Sequence, residues 1–158
     1  MPPLNMEIIN YSIADKLCGL LKFLRLYKTA FEIVAEEVED CNLRTALYGL
    51  SAESIQYADE ITTQLKTHGI PYRLDTDMMA DCLDKFEENF NLEMPGKGNE
   101  LTNICNCSEN SITNAYNDVL NEYLPLASLR NVMLYQLNAL KLSFLKVKML
   151  NNARFAGY

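Results

Sequence analysis

Apolar positions along this chain recur in alternating steps of four and three. Ile13, Leu17, Leu20, Leu24, Tyr27, Phe31, Val34 and Val38 form one such row. Leu43, Leu47, Leu50, Ser54, Tyr57, Ile61 and Leu65 form a second. Leu101, Ile104, Cys105, Ser108, Ile112, Ala115, Val119 and Leu120 mark the apolar side of a third segment at helical spacing. The fourth runs through Leu126, Leu129, Met133, Leu137, Leu140, Phe144, Val147 and Leu150. This is the spacing of helices that bury one seam against their neighbours. It predicts four long helices, over about 10–40, 42–68, 99–123 and 125–151. The expected fold is all-α: an antiparallel four-helix bundle forming a single domain across residues 1–158.

The breaks support that reading. Asp40-Cys41-Asn42 offers good N-caps and only a short turn, so the second helix is expected to lie back along the first. His68-Gly69-Ile70-Pro71 is a helix stop, with Gly just past the end and Pro soon after. The stretch 69–98 differs from the rest. Within it, Thr76 to Phe90 is amphipathic, with Met78, Met79, Cys82, Leu83 and Phe86 on its apolar side. Asn91 to Gly98 is a Pro/Gly-rich loop. The whole stretch is expected to be a long crossover between the second and third helices, carrying a short extra helix. Pro125 suits the first turn of the fourth helix, and the tail from Asn151 is expected to fray.

Composition narrows the possibilities. Half of the 158 residues are apolar (49%), while Gly and Pro number only six and five. That favours long helices over a many-turned β fold. The net charge of -7 disfavours nucleic acid, whose phosphates need clustered Lys and Arg. Five cysteines at irregular spacing, with no basic-then-apolar leader in Met1 to Asn5, point to reduced thiols in a cytoplasm. Cys105 and Cys107, two positions apart on a helix, point about 200° away from each other, which does not suit a shared metal. The most apolar stretch, Leu17 to Phe31, is interrupted by Lys22, Arg25 and Lys28, so no membrane span is expected.

Two blocks of sequence carry a family resemblance. The first is Ala30-Phe31-Glu32-Ile33-Val34-Ala35-Glu36-Glu37-Val38, with Leu43-Arg44-Thr45-Ala46-Leu47 and Ser51 through Ile61. The second is Cys107-Ser108-Glu109-Asn110-Ser111, Ala115-Tyr116, Leu124-Pro125 and Arg130 to Gln136. In order and spacing these resemble an uncharacterised bacterial ferritin-like family, a domain of unknown function. The resemblance implies a ferritin-like bundle and brings no assigned activity. The crossover helix departs from it, lacking the Trp and small residues associated with that position in the family.

Ferritin-like di-iron proteins place a Glu on each of two helices and Glu-x-x-His on each of the others, because carboxylates neutralise and bridge the cations. The matching places here are Glu32, Glu53, Gln56, Glu109 and Gln136. Gln56 stands where His would follow Glu53, Ile112 follows Glu109, and no acid surrounds Gln136. The single histidine, His68, falls at a helix end. These acids are expected on the flanks of the seams, paired with Lys, Arg or Gln. No metal site, cofactor or catalytic set is therefore expected. Leu134, Leu142 and Leu145 add a second apolar side to the fourth helix. The expectation is a non-enzymatic protein acting as a homodimer or through a protein partner. A degenerate ferritin-like metal-binding or oxidative-stress protein is the alternative, and a basic face at Lys22 and Arg25 raises lipid association as a third reading.

Overall fold

The computed structural model describes residues 3–70, 98–122, 124 and 126–155. Among them the chain forms four helices and short turns, with no strand. Helix α1 covers Pro3–Glu37, α2 Cys41–Thr67, α3 Gly98–Leu120 and α4 Ala127–Phe155. The expected extra helix over 76–90 and the role of Pro125 fall outside the described residues. α1 starts earlier than the periodicity predicts. Pro3 opens its first turn, where a missing N–H costs nothing. α4 continues past the expected fray point, because Asn151 is buried and donates to Thr102 Oγ1 at 3.1 Å on α3.

Each helix touches two others. α1 packs on α2 and α3, and α4 packs on α2 and α3, so the helices enclose a four-sided core. That core takes in Leu17, Leu20, Leu24, Phe31, Leu43, Leu47, Ile61, Tyr116, Phe144 and Val147. Ser54 and Tyr57, expected in the second seam, are buried with it. Burying a Leu, Ile or Phe side chain contributes about 1.5–3 kcal/mol, so these seams, rather than intrinsic helix propensity, hold the rods together.

Side-chain contacts tie the neighbours at matched heights. Between α1 and α2, Arg44 meets Val38, Ser51 meets Lys28 and Asp59 meets Arg25. Between α3 and α4, Asn152 meets Thr102, Lys148 meets Glu109 and Gln136 meets Tyr116. Ser128 meets Gln64 and Ser143 meets Glu53 across α2 and α4. Lys16 meets Glu122 and Tyr27 meets Ser108 across α1 and α3.

The helix ends are closed by local chemistry. Asp40 caps α2, its carboxylate accepting from Leu43 N–H at 2.9 Å. α2 ends as a Schellman motif: Ile70 N–H reaches Leu65 C=O, Gly69 N–H reaches Lys66 C=O, and Gly69 takes φ +67°. An arginine from the first turn of the next helix seals the preceding helix twice. Arg44 donates to Val38 C=O at 2.8 and 2.6 Å, and Arg130 donates to Leu120 C=O at 2.8 Å. Each of these arginines follows a buried leucine, Leu43 or Leu129. The α1–α2 and α3–α4 junctions thus share one closing device.

Candidate functional site

The interior holds a polar level built mainly by α2 and α4. It centres on Gln136, whose side chain is fully buried. The Gln136 amide nitrogen donates to Glu60 Oε1 at 3.0 Å and to Tyr57 C=O at 3.3 Å. Its amide oxygen accepts from Tyr116 Oη–H on α3 at 2.8 Å. A buried amide costs free energy unless its donors and acceptor are used, and here all three bonds are made inside the protein. Gln56 donates to the other oxygen of Glu60 at 3.1 Å. One turn further back, Tyr57 Oη–H donates to Glu53 at 2.7 Å, and Ser143 of α4 donates to the second Glu53 oxygen at 2.5 Å.

Helix geometry explains why α2 can do this. Glu53, Tyr57 and Glu60 stand at i, i+4 and i+7, so they share the face turned toward α4. Tyr116 follows Ile112 by four and precedes Val119 by three, which puts its ring in the α3 seam. Burial raises the phenol pKa of Tyr116 and of Tyr57; for Tyr57 the Glu53 carboxylate that accepts its proton adds to the rise. Both phenols therefore remain proton donors at neutral pH.

The five sequence candidates separate in space. Glu53, Gln56 and Gln136 come together around Tyr57 and Glu60. Glu32 does not join them: it pairs with Lys28 on its own helix at 3.0 Å. Glu109 pairs with Lys148 of α4 at 2.9 Å. The expected pairing with Lys, Arg or Gln is met by Glu32 and Glu109, each beside a lysine. It fails for Glu53, whose partners are two hydroxyls, since the seam beside it presents Tyr57 and Ser143 rather than a base. Glu60, Tyr57 and Tyr116, none of them at a ferritin-type ligand position, complete the level. For Tyr57 and Glu60 the signal is their i+4 and i+7 spacing from Glu53; Tyr116 stands on α3, outside that row.

Among the described residues no group of three or more His, Cys, Asp or Glu is arranged to hold a metal ion. Cys105 is buried, and burial pushes its thiol up to about 12, whereas Cys107 is exposed. Such a buried thiol is a poor nucleophile, because the thiolate is the reactive form. His68 is exposed at the α2 C-cap. On the solvent side of the polar level, its own Gln56 and Glu60, with Asp59 and Gln64 of α2 and Val132 of α4, line an open surface groove of about 550 Å³.

No described helix is long and apolar enough to cross a membrane. Comparison with protein-family models, with curated proteins and with solved structures gives no match to this chain.

Proposed function

We propose that this chain is a non-enzymatic, cytoplasmic helical-bundle protein that acts through protein–protein contacts or self-association. In this reading its helices run antiparallel with ferritin-like connectivity. Paired residue numbers support the direction: along every contacting pair of helices one number falls as the other rises, as in Val38–Arg44, Lys28–Ser51 and Arg25–Asp59. With α2 and α3 then pointing the same way, Ile70 and Gly98 stand at opposite ends of the bundle, the placement that a ferritin-like crossover joins.

The observation that carries the functional reading is the closure of the polar level. Gln136, Tyr116, Tyr57, Glu60, Glu53 and Ser143 satisfy one another where a ferritin-type enzyme would aim carboxylates and imidazoles at metal. That leaves the surface as the working part. The chain also lacks the clustered Lys and Arg that the phosphates of a nucleic-acid partner need.

A second reading, a degenerate metal-binding or oxidative-stress protein, is favoured by one feature. Glu53 and Glu60 both face the α2–α4 seam, two turns apart. One preparation separates the two. Protein purified without chelator is analysed for metals and for mass by size-exclusion chromatography with light scattering. The contact reading expects metal far below one ion per chain and a defined oligomer or complex. Stoichiometric iron, manganese or zinc overturns it in favour of the second.

A further inference from the structure

We propose that the outer face of α4 is a docking surface for an acidic amphipathic helix of a partner protein. This rests on the reading of the chain as a contact protein and names the chemistry of the contact. α4 carries two apolar rows. The inner row, including Met133, Leu140, Phe144 and Val147, is buried in the core. The outer row is Tyr135, Asn138, Leu142, Leu145 and Met149, in steps of three and four, roughly 160° round the axis from the inner one. Tyr135, Leu142 and Met149 are 68%, 67% and 62% exposed. A large apolar row held in water at seam spacing is the half of a helix–helix contact that lacks its other half.

α1 does not share this exposure. Both helices pack on α2 and α3. Yet between Ile13 and Glu37, α1 exposes only Asp15, Phe23, Glu36 and Glu37. Of the two, α4 is the open flank.

The rims of the row decide what fits it. Lys141 and Lys146 are exposed on opposite sides of it. Lys148 and Lys141 wall a groove of about 440 Å³ whose floor includes Leu142 and Leu145. Glu109 also lines that groove and already meets Lys148, so Lys141 and Lys146 supply the remaining attraction. α4 contains no acidic residue, although the chain has 21. Two copies of this face brought together would set lysine against lysine. A helix with Asp or Glu beside its apolar row sets opposite charges across the seam instead.

The probe is a designed peptide of about four heptads, with Leu at a and d and Glu at e and g; its twin carries Lys at e and g. Fluorescence anisotropy follows each against the full chain. The Glu peptide is expected to bind at least about tenfold more tightly than the Lys twin, and more weakly as salt rises. Leu142→Asp is expected to weaken it about tenfold or more, and so, separately, is Lys141→Glu with Lys146→Glu. The altered positions are exposed, and unchanged helical circular dichroism confirms that the variants fold. Equal binding of both peptides overturns the proposal. So does absence of binding, whether a dimer mass shows that a second copy holds the face or a Leu142→Cys cross-link to Cys82 shows that the chain's own 76–90 segment does. Bound metal in the same preparation would instead overturn the contact reading itself.

Discussion

Two levels of one interior, about 12 Å apart along α4, are built on different physics. At the first, Tyr27, Phe31 and Phe144 meet edge to face, with centroids 5.6 to 6.4 Å apart. At the second, Gln136 is held by Tyr116, Tyr57 and Glu60 through directed hydrogen bonds. Aromatic burial is strong and tolerant of small shifts. The polar level contributes less net free energy, but it is unforgiving of misplacement, since every misaligned bond leaves a buried dipole unpaired. The first level drives the helices together; the second fixes how they align.

Phe144→Ala attacks the first level and should be the most damaging change, by about 3–5 kcal/mol in chemical denaturation. A loss below about 1 kcal/mol would mean that this level does not dominate. Alkaline titration reaches both levels together. Burial raises the phenol pKa values of Tyr27, Tyr57 and Tyr116 above the ordinary 10.0. The folded chain therefore holds those protons more tightly than the unfolded chain does. Their contribution to stability is complete below about pH 10 and is lost as the pH climbs through the folded-state values. Phenolate absorbance from these three should appear only with unfolding; early, reversible ionisation of all tyrosines in the folded protein would contradict the burial. Outside both levels, Asp40→Ala should cost about 1 kcal/mol through loss of the α2 cap, with the core unaltered. Thermal melts would detect it, and a cost equal to that of Phe144→Ala would erase the distinction between core and cap.

The first level was legible in the sequence, and most of the second was not. Tyr27, Phe31 and Phe144 stand on heptad rows, so periodicity alone puts them inside. Asp40, Gly69 and the seam positions Ser54 and Tyr57 were readable for the same local reasons. Gln136 was found only as a degenerate ligand position. An amide one place from Leu137 has no periodic signature that tells a buried residue from a surface one. Its partners lie 20 and 76 residues away, on other helices. Glu53 was misjudged because the hydroxyl that replaces the expected base, Ser143, is 90 residues distant. The expected fray at Asn151 failed likewise, since Thr102 is reached only through the α3–α4 contact. Helix identity is written in local spacing; the chemistry between helices is written in pairs that only packing brings together.

The central claim, that the polar level is a closed set of mutually satisfied groups, is tested most directly by a double-mutant cycle on Tyr116→Phe and Gln136→Leu, read by urea unfolding. Each single change should destabilise by about 1–3 kcal/mol, because it strands the other partner. The pair together should cost clearly less than the sum, leaving a coupling of about 1 kcal/mol or more. Strictly additive losses, or a Gln136→Leu chain as stable as the parent, would show that Gln136 is not held as described.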